Sequence, residues 1–142
     1  MPEPAMTADE LDAKLAEAFP ELFQSADRAV IERLDYGACR LRLPFQSRYL
    51  RPGGTISGPT MMQLTDLAMY VAVLGAVGWV PLAVTSQLNI HFLRRPEARD
   101  LIAEARLLRV GGRTAVGDVT IWSDGHDAPV AHATSTYAIP SR

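Results

Sequence analysis

One carboxylate stands out as a candidate for chemistry, because Asp66 is the only acid within the mostly apolar run from Thr60 to Val77. Aspartate is a mediocre helix former, and burying a carboxylate without partners is costly. Asp66 must therefore either be well hydrogen-bonded or have a pKa that is raised by burial. Either state suits a general base or a nucleophile. The alternative is a structural aspartate that binds a neighbouring hydroxyl or a partner subunit.

A second candidate lies at the predicted start of the helix that carries Asp66. Gly58 has no side chain, so a ligand can approach its N–H closely, and Pro59 suits the first position of a helix. The N–H groups of Gly58, Thr60 and Met61 would lie at the positive end of this helix, where they could form an oxyanion hole. Simple capping of the helix, by Ser57 or Gly58, is the alternative.

Spacing relates these two candidates to each other. Gly58 and Asp66 are eight residues apart in the chain, and eight residues span about 12 Å along a helix axis. Within one chain they cannot flank the same reacting carbon. Two such helices packed antiparallel across a two-fold axis would bring Gly58 of one chain towards Asp66 of the other, and the dimer would have two equivalent sites.

The N-terminal region predicts a separate amphipathic helix. Thr7 and Glu10 have the spacing of a capping box, and Leu11, Leu15 and Phe19 recur at intervals of four residues. We therefore assign residues 1–25 to an N-terminal helical extension and residues 26–142 to the main domain.

The main domain shows a hairpin pattern around residues 35–37, a helix over 59–77, and four strands after residue 82, the last three joined by turns. Small residues on one face of the later strands leave room for a helix across the sheet. The long helix is apolar around most of its circumference, whereas one sheet covers only one side. These features predict an α+β fold in which a curved antiparallel sheet wraps round the helix and a second subunit completes the burial.

Composition excludes several classes of function. The chain has 142 residues and a formal net charge of −2, so it fits one ordinary domain and offers no basic excess for nucleic acid or an anionic membrane. Asp66, Gly75, Gly78 and Pro81 interrupt the apolar region before it reaches the roughly 20 residues of a membrane span. The N-terminus lacks the order of a secretory signal. We expect a cytoplasmic protein that binds a small molecule and another copy of itself.

Other reactive residues have ordinary explanations. The three histidines lack metal-ligand spacing with cysteine or acids, so no metal site is predicted. Cys39, the only cysteine, lies in a predicted strand and is interpreted as a core residue. Met61, Met62 and Met69 are interpreted as core filling, with the alternative that some of them line a substrate tunnel.

A series of motifs follows one order along the chain. It runs from Gly53-Gly54 and Ser57-Gly58 to Asp66 in its apolar helix, then to "AVTSQLNIHFLRRP", "DLIAEARLLRVGGRTAVGDVTIW" and "PVAHATSTYAI". This order resembles the hotdog-fold acyl-CoA thioesterases, specifically the PaaI-like group of the phenylacetate pathway. The resemblance covers about residues 40–138 and leaves out the N-terminal helix. It implies a hotdog dimer, often paired into a tetramer, that holds an acyl thioester between subunits.

The resemblance also implies roles for three residues. Asp66 would activate water or attack the carbonyl carbon, the N–H of Gly58 would bind the thioester oxygen, and Thr85 would help to place the water. No metal or redox cofactor is needed for this reaction, and coenzyme A enters only as part of the substrate.

Three positions depart from the pattern of that group. The group usually has a histidine before the helix glycine, a second glycine after it, and an asparagine or aspartate in the preceding loop, whereas this chain has Ser57, Pro59 and Arg51. Ser57 could donate a hydrogen bond to the substrate. Arg51 could polarise a carbonyl or bind a substrate carboxylate.

Coenzyme A carries a pyrophosphate and a 3′-phosphate, so basic residues are expected near the mouth of the site. Arg94 and Arg95 follow one predicted strand, and Arg109 and Arg113 flank the Gly111-Gly112 turn. We select Arg95 and Arg113 as substrate-binding candidates, together with Arg51, Ser57 and Gln63.

The resulting prediction is hydrolysis of an acyl-CoA thioester to a free acid and CoA at a site shared between two subunits. The alternative from another class is a non-catalytic hotdog protein that binds or senses acyl-CoA, in which Ser57 and Arg51 mark lost chemistry. A hotdog hydratase or dehydratase would need a histidine beside an acid near the helix, and the segment has none there.

Overall fold

The computed structural model describes residues 2–24 and 27–141 and has an α+β architecture. Its helices are α1 (Ala8–Ala18), α2 (Pro20–Phe23) and α3 (Gly58–Val77), with a 3₁₀ turn over Ser47–Tyr49. Its strands are β1 (Val30–Asp35), β2 (Ala38–Leu43), β3 (Leu50–Arg51), β4 (Thr55–Ile56), β5 (Val84–Phe92), β6 (Leu101–Val110), β7 (Thr114–Ser123) and β8 (Ala131–Ala138). The predicted order of one helix, a hairpin, a long helix and four strands is confirmed.

Six strands form one antiparallel sheet in the order β1-β2-β6-β7-β8-β5. The curved sheet wraps round α3, which contacts every one of the six strands. The short β3–β4 ladder lies outside this sheet, in a segment predicted only as a loop. Gly53 and Gly54 turn the chain between the two short strands with positive φ angles of 102° and 79°, a conformation that glycine adopts without a steric cost.

The helix α3 packs closely on the sheet because small residues line its path. A Cβ atom at Gly117 would lie 2.7 Å from the main-chain oxygen of Arg106 and 3.0 Å from the sulfur of Met69. A Cβ at Gly75 would lie 2.7 Å from a methyl carbon of Leu34. The predicted accommodation of a helix by small strand residues is therefore confirmed at Gly117 of β7, where Met69 of α3 fills the space that a side chain would need.

By length and composition, α3 is apolar enough to cross a membrane, the one such helix in the part of the chain that the structure describes. Its burial is that of a core helix, since Met61, Leu64, Met69 and Val73 are buried. The side chains of one stripe along α3 are not fully buried. Pro59, Met62 and Gln63 are exposed, and Asp66, Leu67 and Tyr70 are half-buried.

The exposed stripe corrects one interpretation, because Met62 is 43% exposed rather than part of the core. Met61 and Met69, by contrast, are buried as expected. Met62 differs from them because it lies on the side of α3 that faces away from the six strands. That side is the one for which a second subunit was predicted.

The N-terminal helix has its predicted capping box, in which the Thr7 hydroxyl accepts from the N–H of Glu10 at 3.1 Å and the Glu10 carboxylate accepts from the N–H of Thr7 at 3.2 Å. Leu11 and Leu15 are fully buried in the same core as α3. Phe19 was wrongly placed in that buried stripe: it is 42% exposed, because α1 ends at Ala18 and the chain turns into α2. The boundary predicted between residues 25 and 26 lies outside the described residues.

Candidate active site

The carboxylate of Asp66 is held by two hydroxyl groups. The Thr85 hydroxyl donates a short hydrogen bond to Oδ1 of Asp66, and the Tyr137 hydroxyl lies 3.0 Å from the same oxygen. Tyr137 also lies 3.1 Å from the main-chain oxygen of Asp66. Among the described residues, no side chain donates to Oδ2, so that oxygen can accept a proton from a bound water molecule.

Three elements bring these groups together. Asp66 lies near the middle of α3, Thr85 near the start of β5, and Tyr137 near the end of β8. Because β5 and β8 pair antiparallel with Thr85 opposite Tyr137, the two hydroxyl donors stand side by side on neighbouring strands. A slip of β5 against β8 by one residue would turn the donor on the slipped strand to the other face of the sheet and separate the pair.

Tyr137 was not predicted as a site residue. Burial raises the pKa of its phenol well above the ordinary value, and the nearby charge of Asp66 raises it further. The phenol therefore stays protonated and keeps its proton for the bond to Asp66. The available signal was a tyrosine among the small inward-facing residues of the last strand, since a buried phenol needs a hydrogen-bond partner.

Asp66 opens onto a cavity of about 550 Å³, which we call the Asp66 cavity. Polar groups at one end are Gln63, Asp66, Thr85 and Tyr137, and the remaining walls are mostly apolar. Tyr70 lies beside Tyr137 with ring centroids 6.1 Å apart, and its hydroxyl donates to the main-chain oxygen of Pro81 at 2.9 Å. A few polar groups in an apolar cavity are typical of small-molecule sites.

Gly58 lies in a different cavity of about 370 Å³, which we call the Gly58 cavity. Arg51, Arg94 and Arg95 line it together with Phe92 at the end of β5. A Cβ atom at Gly58 would lie 3.5 Å from the Phe92 ring, which is an ordinary contact. The cavity thus combines the positive end of α3 with three arginines, an arrangement suited to an anion or a polarised carbonyl.

Ser57 is the N-cap of α3, as one of the sequence alternatives proposed. Its hydroxyl oxygen accepts from the N–H of Thr60 at 3.3 Å and lies 2.8 Å from the Thr60 hydroxyl. Its own N–H donates to the main-chain oxygen of Tyr49 at 2.8 Å. Capping therefore occupies this hydroxyl, and a role of Ser57 in substrate binding stays a prediction.

The remaining candidates divide between the two ends of β5. Gln63 and Thr85 lie with Asp66, whereas Arg51 and Arg95 lie with Gly58. Arg113 is exposed and directly precedes β7. The first residue of β7 pairs with Ala138 of β8, and Ala138 pairs with Val84 at the start of β5. Arg113 is therefore at the Asp66 end of the sheet, apart from Arg95, and within one protomer the structure does not bring Asp66 and Gly58 together.

The other reactive residues have structural surroundings. Cys39 is fully buried, its thiol donates to the main-chain oxygen of Ala68, and burial raises its pKa to about 12, which confirms its interpretation as a core residue. His132 faces Asp118 at 3.4 Å, and His126 faces Glu97 at 3.0 Å. Among the described residues, no group of three or more His, Cys, Asp or Glu side chains could hold a metal ion.

Comparison with known families gives the context for this geometry. The pattern of the family described as "Thioesterase superfamily" matches residues 53–130, a range that includes Gly58, Asp66 and Thr85. The chain belongs to the thioesterase superfamily. The matched range contains the Asp66 carboxylate and leaves out the N-terminal extension.

Individual relatives agree with this assignment. A Saccharolobus solfataricus protein named "putative esterase" is 30% identical over 108 residues, which cover 76% of this chain and 71% of that protein. A solved structure from Silicibacter sp. TM1040, described as a "putative thioesterase", is 45% identical with a TM-score of 0.87 and covers 98% of this chain and 95% of its own.

Two more distant structures share the fold. The Escherichia coli PaaI protein of the phenylacetic acid degradation operon is 22% identical, has a TM-score of 0.77, and covers 95% of this chain and 97% of its own. A Streptococcus mutans protein solved with acetyl-CoA bound is 21% identical, has a TM-score of 0.73, and covers 83% of this chain and 93% of its own. The chain therefore has the hotdog fold that its motifs predicted.

Proposed function

We propose that this protein hydrolyses acyl-CoA thioesters to a free acid and CoA at sites shared between two subunits. The observation that carries the proposal is the Asp66 carboxylate, which opens into an apolar cavity while two hydroxyl groups hold its Oδ1. Membership of the thioesterase superfamily supports the reaction class. The acetyl-CoA bound to the Streptococcus mutans protein of the same fold supports CoA as the carrier.

The chemistry needs a base or nucleophile on one side of the thioester carbonyl and a hydrogen-bond donor at its oxygen. As a base, Asp66 takes a proton from water as the water oxygen attacks the carbonyl carbon. The N–H of Gly58 stabilises the oxyanion that forms, and the carbon–sulfur bond then breaks to release the CoA thiolate, which takes up a proton. As a nucleophile, Asp66 attacks the carbonyl itself and water cleaves the resulting anhydride.

A single turnover in oxygen-18 water separates these two routes. With Asp66 as base, the first acid released carries the label, because the water oxygen enters the product directly. With Asp66 as nucleophile, water that attacks the Asp66 carbonyl of the anhydride leaves the label in Asp66 and releases an acid that carries an unlabelled oxygen from Asp66. Label found in Asp66 therefore identifies the nucleophilic route.

The edge strand of the sheet offers a surface through which two subunits can share the site. The strand β5 lies at the edge of the sheet, and its end residues Val84 and Phe92 are 56% and 49% exposed. Unpaired edge strands present main-chain groups that can pair with a second chain. Antiparallel pairing of two β5 strands about Leu88 would place Val84 opposite Phe92 of the partner subunit. Because Gly58 packs beside Phe92 and Asp66 binds Thr85, this pairing joins the two half-sites.

Distances favour this arrangement over a site within one chain. Thr85 and Phe92 are seven residues apart, which is about 24 Å along a strand. Pairing across a two-fold axis removes that separation and repeats the site once per subunit. It also brings Arg95 of one subunit to the same end of the joined sheet as Arg113 of the other, where both can bind CoA phosphates.

Free-thiol release from a panel of acyl-CoAs tests the proposal, with the wild type compared with Asp66→Asn. The asparagine keeps an oxygen that accepts from Thr85 and Tyr137 but cannot take a proton, so we expect kcat to fall by about 10²–10⁴-fold. Asp127→Asn, a change at an exposed turn residue, is the matched control and should keep wild-type activity. An active wild type with an undiminished Asp66→Asn variant contradicts the role of Asp66.

The non-catalytic alternative rests on Ser57 and Arg51, two of the three departures from the PaaI-like pattern. It predicts saturable binding of acyl-CoA without release of a thiol. A hydratase would instead convert an enoyl-CoA without breaking the thioester, and product analysis distinguishes that outcome from hydrolysis. Either result would replace the proposal of a thioesterase.

A further inference from the structure

Two apolar side chains of the N-terminal segment remain exposed while their neighbour is buried. Phe23 at the end of α2 is 4% exposed and anchors the segment in the core, whereas Phe19 and Leu22 are 42% and 46% exposed. The rings of Phe19 and Phe23 lie 6.4 Å apart. The exposed surfaces of Phe19 and Leu22 do not face only bulk solvent, because both side chains line the Asp66 cavity.

A second cavity of about 330 Å³ continues beyond this wall. It shares Leu22, Phe23, Gln63 and Leu67 with the Asp66 cavity, so the two spaces meet between α2 and α3. We call the combined space the α2–α3 groove. One end of the groove opens at the Asp66 carboxylate, and Leu22 lies where its two parts join.

The far end of the groove is lined by charged side chains that form ion pairs within the protein. Arg28 forms an ion pair with Asp12, and Arg48 forms one with Asp27. These arginines are therefore neutralised by protein carboxylates and are not free to select an acidic substrate. Apolar contacts along the groove come from Leu22 and Phe23 of α2 and from Leu64 and Leu67 of α3, beside the polar side chains Glu21, Thr60 and Gln63.

We propose that the α2–α3 groove binds the acyl chain of the substrate, and that Leu22 of the N-terminal segment sets the length of chain that is accepted. This inference rests on the proposed thioesterase function. The thioester carbonyl has to reach Asp66, and the CoA moiety has to leave towards the arginines beside Gly58. The acyl chain must then extend the other way from Asp66, and the groove is the apolar space that begins there.

Leu22 selects by steric fit at the junction. Short acyl groups fit within the Asp66 cavity and do not pass Leu22, whereas longer chains must cross it to reach the second cavity. Each additional methylene that is removed from water should improve kcat/KM by about fourfold, until the chain meets a side chain that cannot move aside. Changing the volume of residue 22 should move that limit without changing the chemistry at Asp66.

The test measures kcat/KM for acetyl-, butyryl-, hexanoyl-, octanoyl- and decanoyl-CoA with Leu22→Ala and Leu22→Trp. The alanine variant widens the junction, so the ratio of decanoyl to butyryl activity should rise at least fourfold relative to the wild type. The tryptophan variant narrows the junction, so the same ratio should fall at least tenfold.

Leu108→Ala is the matched control, because Leu108 is also an exposed leucine, at 58%, but lies on β6. Thermal melting of all three variants shows whether the fold is kept. Length profiles of both Leu22 variants that coincide with the profile of Leu108→Ala overturn the proposal.

A second measurement separates failure of this inference from failure of the proposed function. S-alkyl-CoA thioethers with the same chain lengths cannot be hydrolysed, so calorimetric binding reports on the groove without turnover. Leu22→Trp should lower the affinity for S-decyl-CoA relative to that for S-ethyl-CoA at least tenfold. A wild type that binds the thioethers with this pattern but releases no thiol refutes the thioesterase and retains the groove. Binding that is insensitive to residue 22 refutes the groove.

Discussion

The hydroxyl of Tyr137 lies 3.0 Å from Oδ1 of Asp66 and donates to it across a gap of 71 residues in the chain. Thr85 donates to the same oxygen from the neighbouring strand. The two bonds orient the carboxylate and leave Oδ2 as the atom that faces the chemistry. A carboxylate that was present only for stability would not need to open onto an apolar cavity.

Tyr137→Phe tests whether this orientation matters for activity. The change removes one hydrogen bond to a charged acceptor, so we expect kcat to fall by about 10–100-fold with KM nearly unchanged. Tyr70→Phe is the matched control, because the Tyr70 hydroxyl donates to the main chain at Pro81 rather than to Asp66, and its kcat should stay within about twofold. Equal effects of the two variants on kcat would contradict an orienting role for Tyr137.

Gly117→Ala tests the close packing at Gly117, where β7 lies against its neighbouring strand β6 and against Met69 of α3. The added Cβ would lie 2.7 Å from the main-chain oxygen of Arg106, and a main-chain atom cannot rotate away. We expect a loss of about 1–3 kcal/mol in the free energy of unfolding, measured by urea titration. Gly112→Ala is the control, since a Cβ there meets no atom within 4 Å. A Gly117→Ala variant as stable as Gly112→Ala would contradict this packing.

The pH dependence of stability should depend on Glu32. Its carboxylate accepts from Arg42 at 2.8 Å and from Arg40 at 2.9 Å, and the Arg42 hydrogen bond in particular holds the pKa of Glu32 below its ordinary value of 4.5. A lowered pKa contributes stability that is present above the ordinary value and is lost as the pH falls through the value in the folded state.

Glu32→Gln should therefore lower stability at neutral pH by about 0.2–1 kcal/mol, because the ion pairs are largely at the surface. It should also make the loss of melting temperature on acidification shallower than in the wild type. Glu17→Gln, at an exposed position on α1, is the control and should follow the wild-type curve. A Glu32→Gln curve parallel to the wild type throughout would show that this pair does not contribute.

Much of the fold could be predicted from the sequence because its helices and turns depend on patterns of residues close together in the chain. The Thr7–Glu10 capping box, the hairpin before Cys39 and the start of α3 at Gly58 each depend on residues close together in the chain. Asp66 could be identified as a candidate because burying a carboxylate without partners in an apolar helix is costly. The pairing of Asp66 with Thr85 came from a family resemblance and is consistent with their hydrogen bond.

The missed features depend on contacts between distant parts of the chain. Tyr137 reaches Asp66 only through the β5–β8 register, which no local pattern determines. The exposure of Phe19 follows from the early end of α1, and that of Met62 from the side of α3 on which the six strands lie. Both side chains are apolar and fit a helical stripe, so periodicity alone assigns them to the core. The role of α2 as a cavity wall was likewise invisible, since a four-residue helix has no pattern of its own.

The central claim is that each site combines Asp66 of one subunit with Gly58 of the other. Its most direct test is complementation between Asp66→Asn and Gly58→Val, both of which should be inactive as pure oligomers. Thermal melting checks that both fold, since a Cβ at Gly58 makes only an ordinary contact with Phe92. Mixed oligomers are isolated by two different affinity tags after co-expression, and thiol release from an acyl-CoA is measured.

With a shared site, one of the two sites in a mixed dimer contains both defects and the other contains none. We predict that the mixed dimer regains up to about half of the wild-type activity. If each site were built within one chain, every site would carry one defect. Mixed oligomers no more active than either parent would contradict the shared site.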